Sequence, residues 1–141
     1  MRVVGLGCVI LVLGGCTGTA AQATLPVQLL ARDGAIREIG RYCSGTGGFE
    51  AAHAKAPFQL FDASGKQVGS GELPDGRAIR AVDEDLGVSR VPTFCQWDFS
   101  VAVPQDAVGQ AYTLRLDSGE PIDLRRNANG GTEAPAAGIM R

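Results

Sequence analysis

The single histidine, His53, stands three residues after Glu50, and Glu-x-x-His on a helix is half of a carboxylate-bridged di-iron site. The full site needs a second copy and further carboxylates on four long helices, and the chain supplies neither. His53 therefore reads as a surface or capping residue, and no metal ligand set is expected. Ser44-Gly45-Thr46-Gly47-Gly48-Phe49 is a glycine-rich loop whose backbone N–H groups could cradle an anion as a nest. It lacks the Gly-Lys-Ser/Thr ending of a phosphate loop and opens no βαβ unit, so the simpler reading is a loop that supplies turn conformations. Gly87-Val88-Ser89-Arg90-Val91 misses the final glycine of a nucleophile elbow, and no histidine is placed to act as its base. Asp83-Glu84-Asp85 lacks the alternating ligands and glycine of a calcium loop and reads as a solvated acidic loop. Paired carboxylates stay open, because their spacing is spatial; Asp98 and Asp83 are the two a hydrolase would use. No catalytic residue and no cofactor is expected.

The N-terminus is more specific. Arg2 gives a positive start, and Val3 to Leu13 form an apolar run too short to cross a bilayer core, which needs roughly 20 residues. The run ends in Leu13-Gly14-Gly15-Cys16, an aliphatic residue and two small residues before a cysteine. This resembles the lipobox of bacterial lipoproteins. The resemblance implies cleavage of residues 1–15, attachment of a diacylglyceryl group to the Cys16 thiol, and a lipid-anchored protein on the extracytoplasmic face of the cell membrane. A thiolate is the nucleophile such a step needs, and two acyl chains at ~0.8 kcal/mol per buried CH₂ anchor stably.

The other cysteines then sort themselves. Cys8 leaves with the cleaved segment. Cys43 and Cys95 remain as an even pair in an oxidising compartment, and a disulfide is expected. The alternatives are two free thiols or a metal pair, and a metal site wants more Cys or His than the chain offers. On the chain-entropy model a bridge across about fifty residues stabilises by ~4 kcal/mol.

The elements that would carry these residues are short. Residues 16–24 are small and polar and read as a flexible tether, closed by Leu25-Pro26. Residues 25–126 hold one domain's worth of apolar sequence. Residues 27–30 are a short apolar run; 35–42 reads as a strand or a short helix, the strand being favoured; and strands are predicted at 58–62, 66–73, 77–82, 93–103, 111–116 and 121–125, spaced by Gly, Asp and Pro turns. One or two helical turns are predicted over Glu50–Ala56. The clearest strand is Thr93–Val103, where Cys95, Trp97, Phe99, Val101 and Val103 alternate with Gln96, Asp98 and Ser100. Trp97 and Phe99 read as core. Residues 127–141 have little to bury and are expected to be disordered. The expected fold is all-β: a small antiparallel β-sandwich, immunoglobulin-like or transthyretin-like, with one disulfide.

The segments Cys43 to Phe49, FQLFDASGKQVGSGEL, Cys95-Gln96-Trp97-Asp98-Phe99 and Tyr112-x-Leu114-x-Leu116 resemble small exported lipoproteins of unknown function from high-GC Gram-positive bacteria. The resemblance implies an all-β extracytoplasmic domain and carries no active site with it. Formal net charge is −2, with no Lys/Arg run, so nucleic acid is not expected as a partner. The function expected is that of a non-enzymatic module that binds or supports an envelope protein or glycan. The alternatives are a hydrolase on Asp98 and Asp83, or an enzyme inhibitor presenting the loop Ser44–Phe49.

Overall fold

The computed structural model describes residues 18, 20–131 and 133–141. The segment 1–15 with Cys8, the lipidation candidate Cys16 and most of the predicted tether lie outside the described residues. Ten strands follow in order: β1 (Gln22–Ala31), β2 (Ile36–Arg37), β3 (Tyr42–Cys43), β4 (Pro57–Asp62), β5 (Gln67–Glu72), β6 (Gly76–Arg80), β7 (Val91–Pro104), β8 (Ala111–Leu116), β9 (Ile122–Arg126) and β10 (Ala136–Met140). Among the described residues no helix is long and apolar enough to cross a membrane.

The all-β expectation holds, but the strands form one curled mixed sheet, a half-barrel, instead of two separate sheets. Its order is β3-β6-β7-β1-β10-β9-β8-β4-β5, with β2 added to β7. The cause lies in β7. At 14 residues it is too long for one flat neighbourhood. It pairs with β2 and β6 near its start and with β1 over Cys95–Pro104. Near its end the curl brings β5 against it, where a Cβ on Gly69 would stand 2.6 Å from Val101 Cγ1. Alternation decides what lies inside the curl. Leu25, Val27, Leu29 and Ala31 of β1 face Cys95, Trp97, Val101 and Val103 of β7, with Leu60, Tyr112, Leu114 and Leu124 completing the core. Burying each of the larger side chains is worth about 1.5–3 kcal/mol.

Three expectations need correction. The strand β1 begins at Gln22, so it takes in the last residues assigned to the tether and passes through Pro26. Proline is tolerated because only β7 pairs at that level; the ladder with β10 starts at Val27. Over Glu50–Ala56 there is no helix, only successive tight turns, with Ala52 N–H bonded to Phe49 O and Ala56 N–H to His53 O. The predicted strand 35–42 survives only at its two ends. A turn at 38–41, with Gly40 at φ +81°, separates β2 from β3.

The largest correction is the C-terminal tail. Residues 136–140 are an interior strand, β10, parallel to β1 and antiparallel to β9. Its apolar content is low because the space is small. Ala136 and Met140 point inward and are buried, and between them Gly138 passes so close to Leu124 that a Cβ would collide with its side chain and stand 2.9 Å from Asp123 O. A disordered tail and a narrow interior strand thus look alike in composition. Gly138→Val tests the difference: overpacking there should lower stability by about 1–3 kcal/mol in urea unfolding. A change below about 0.5 kcal/mol would return the tail to disorder.

Candidate functional site

Most of the residues singled out for chemistry, Asp98 excepted, gather at one pole of the half-barrel, the end at which β1 finishes and β7 starts. Cys43 on β3 and Cys95 on β7 form a disulfide, with Cα atoms 5.9 Å apart. A two-residue edge strand has little pairing of its own, so this bond fixes β3 to the core. Cys95 Sγ and Trp97 Cε2 both lie within 2.8 Å of the point where a Gly76 Cβ would stand, so the bridge packs close to the ring edge. Trp97 is fully buried, as expected for core, with its indole N–H unpartnered.

Just beyond the disulfide the glycine-rich loop is held from below by an ion pair that the sequence reading passed over. Arg37 Nη2 meets Asp33 Oδ2 at 2.6 Å and Arg37 Nη1 meets Oδ1 at 3.0 Å, a bidentate pair. The Asp33 side chain is fully buried and that of Arg37 is 14 % exposed. Arg37 also donates to Ser44 O, and the Thr46 hydroxyl donates to Asp33 Oδ2 at 3.0 Å. Beneath, Thr93 donates its hydroxyl to Ala35 O and accepts from Arg37 Nη1. In sequence, Asp33-Gly34 is a turn dipeptide and nothing more. The signal for more was an arginine four residues after the aspartate, with one threonine among the inward positions of an otherwise apolar strand. Burial pushes the Asp33 carboxyl up. The hydrogen bonds from Arg37 and Thr46, the Arg37 charge and the Ala35 N–H outweigh it and hold it below the usual carboxylate value.

The loop itself answers the nest hypothesis. Gly47 and Gly48 take φ of +60° and +101°, which turns backbone N–H groups toward one point. That point is occupied by the chain's own carboxylate: Gly48 N–H donates to Glu50 Oε2 at 3.0 Å. The N–H groups of Glu50 itself, Gly48 and Gly47 hold the Glu50 carboxyl below its usual value. An external anion would have to displace a tethered one. His53 is exposed, with Nδ1 2.9 Å from Ala54 O, and Glu50 is committed to the loop. Among the described residues no group of three or more His, Cys, Asp or Glu is arranged to hold a metal ion.

The carboxylates proposed for hydrolysis are not brought together. Asp98 lies along β7 and accepts from Gln28 and Gln96. Asp83 lies past the end of β6, whose last residue, Arg80, pairs with Thr93, five positions up β7 from Asp98. In the acidic loop 83–85, Arg80 donates to Glu84 O and Gly87 N–H to Asp85 Oδ1.

What this pole does offer is exposed apolar surface. Among the described residues the large exposed hydrophobics are Ile36, Ile39, Tyr42, Val82, Leu86 and Val88, with only Val108 and Ile139 elsewhere. The six lie in two segments that flank the β6–β7 end. Arg90 Nη2 ties one to the other by donating to Ile36 O, and Ala81 N–H bonds Pro92 O. Tyr42 is 65 % exposed, under the guanidinium of Arg77 at 3.8 Å from its ring centre. No family model, curated protein or solved structure matches this chain, so the functional reading rests on these residues alone.

Arg37→Met should cost about 3 kcal/mol at neutral pH, because it strands a buried carboxylate. Asp33 has a depressed folded-state pKa, so its stabilisation is present above the unfolded value and is lost as pH falls through the folded one. The penalty of Arg37→Met should therefore shrink below about pH 4, where the unfolded Asp titrates. Urea unfolding of both proteins between pH 3 and 7 checks this; a pH-independent penalty would contradict a charge-based role.

Proposed function

We propose that the chain is a lipid-anchored cell-envelope protein with a non-enzymatic β domain that presents its network-braced pole to a protein partner. The observation that carries the reading is the gathering of Ile36, Ile39, Tyr42, Val82, Leu86 and Val88 at one end of the sheet. Exposed apolar side chains rimmed by charges mark interaction surfaces, and Tyr and Arg are favoured anchors within them. Arg32, Glu38, Arg41 and Arg77 supply the charges on the neighbouring elements.

The strand direction gives the surface an orientation in this reading. Gln22 opens β1 beside Pro104, at the opposite end of β7 from Val91. A lipid on Cys16 would lie six residues before Gln22, and six extended residues reach at most about 20 Å. The domain would stand close to the membrane with the apolar pole turned outward. Facing halves of the curled sheet would then act as the two layers of a sandwich-type binding module, with the loop Ser44–Phe49 on its outer rim. An inhibitor that inserts this loop into an enzyme is a special case of the same surface. A hydrolase is less well supported, because Asp98 and Asp83 occupy different levels of the fold.

Two measurements test the reading. Intact-mass and acyl-label analysis should find a diacylglyceryl group on Cys16 and none after Cys16→Ala; acylation that persists in that variant would sink the anchor. A photo-crosslinker at Val88 or Tyr42 should trap a discrete envelope protein in cells, whereas one at Lys66, in the hairpin at the opposite end, should not. Equal trapping at both ends, or none at Val88 and Tyr42, would remove the docking surface.

A further inference from the structure

A second feature lies on the outer face of the sheet, away from the apolar pole. Strands β4, β8 and β9 and the β4–β5 hairpin enclose a groove of about 360 Å³, within the range of small-molecule sites. Its floor is set by register. Thr113 pairs with both Phe61 and Asp123, Arg115 stands opposite Gln59, and Arg125 stands opposite Ala111. Arg115 and Arg125 therefore rise on either side of the Thr113–Asp123 pair, from positions roughly 13 Å apart along the strands. The hairpin wall is firm, because Asp62 Oδ1 accepts from Ser64 N–H, the Ser64 hydroxyl and Lys66 N–H.

Several arginines elsewhere in the chain are already spent on the fold, whereas Arg32, like Arg115, only stacks over a ring. Arg37 grips Asp33, and Arg77, Arg80, Arg90 and Arg126 donate to backbone carbonyls. The side chains of Arg125 and Asp123 share the groove, yet neither makes a hydrogen bond or ion pair with any described residue. Arg115 stacks over the Phe61 ring at 4.7 Å, which fixes the guanidinium plane and leaves its edge donors unspent. Unspent guanidinium donors suit an oxyanion. A hydroxyl and a carboxylate between them suit the hydroxyl groups of a sugar. The spacing of the two arginines exceeds what a single inorganic ion would bridge.

We propose that this groove binds a small acidic sugar, a hexose bearing a carboxylate or a phosphate, with Arg115 and Arg125 taking the acid group and adjacent oxygens and Thr113 and Asp123 taking ring hydroxyls. The site is independent of the apolar pole and of the lipid anchor. The experiment is a titration of the full chain, followed by amide NMR, with glucuronic acid, glucose 6-phosphate, glucose and inorganic phosphate in turn. At least one acidic sugar should bind saturably with shifts centred on Thr113 and Asp123; which one binds distinguishes carboxylate from phosphate. Glucose and inorganic phosphate should each bind at least tenfold more weakly. Arg115→Gln and Arg125→Gln should each weaken the acidic sugar at least tenfold with amide spectra unchanged outside the groove, while Arg80→Gln should leave binding as it was. Absence of saturable binding by both acidic sugars, equal binding by inorganic phosphate, or binding retained in both groove variants would overturn the proposal.

Discussion

The structure depends on the position of β1. This strand is the seam of the sheet, antiparallel to β7 on one side and parallel to β10 on the other. In the hydrogen-bonded ladder, the β7 side, including the disulfide, the glycine-rich loop and the apolar pole, is joined through it to the β9-β8-β4-β5 side with its groove. Four of its side chains, Leu25, Val27, Leu29 and Ala31, are buried at 2 % exposure or less, so each inward position contributes to the core. A parallel neighbour cannot be supplied by a hairpin. The chain supplies it last, by returning after β9 and laying Ala136–Met140 against β1. The two halves of the sheet thus belong to one unit only when both termini of the domain are in place.

Charge is handled in three distinct ways. At the pole, Asp33 and Arg37 are withdrawn from water and satisfied by each other and by Thr46, Thr93 and Ser44, so they act as a brace and not as reagents. Arg77, Arg80, Arg90 and Arg126 are tied to carbonyls of their own chain, with Arg126 reaching Gly109, Gly131 and Ala134 at once. The Tyr112 hydroxyl works in the same neighbourhood, accepting from Gly109 N–H and donating to Ala107 O, so the 107–109 turn is fixed from two sides. On the outer face, Arg115 and Arg125 are left unspent. These uses separate the guanidiniums tied to carbonyls and carboxylates of the fold from those that only stack over a ring or make no side-chain hydrogen bond.

Much of this was legible in the sequence, and the rest was hidden for definite reasons. Period-two alternation marks β7 and β8, because that signal is local. Cys43 and Cys95 were paired by arithmetic, and the structure joins them. The number of sheets was not legible, because it depends on how far β7 curls and which strands meet its two ends. The strand β10 was hidden because Ala136 and Gly138 are small in order to fit beside Leu124, and small residues carry almost no hydrophobic signal. The ion pair was hidden because Asp33 and Arg37 look like any turn residues until the disulfide and Thr93 close the space around them. The groove arginines were hidden because Arg115 and Arg125 lie on different strands, and only register places them on one face.

The most direct test of this arrangement is native-state hydrogen exchange across the β1–β10 seam. Amides of Val27–Ala31 and of Ala136–Met140 should exchange together, with protection close to that of global unfolding, since they open only when the two halves separate. Exchange of residues 136–140 at unprotected rates, while β1 and β7 stay protected, would show that the C-terminal strand is not part of the folded unit and would contradict the account.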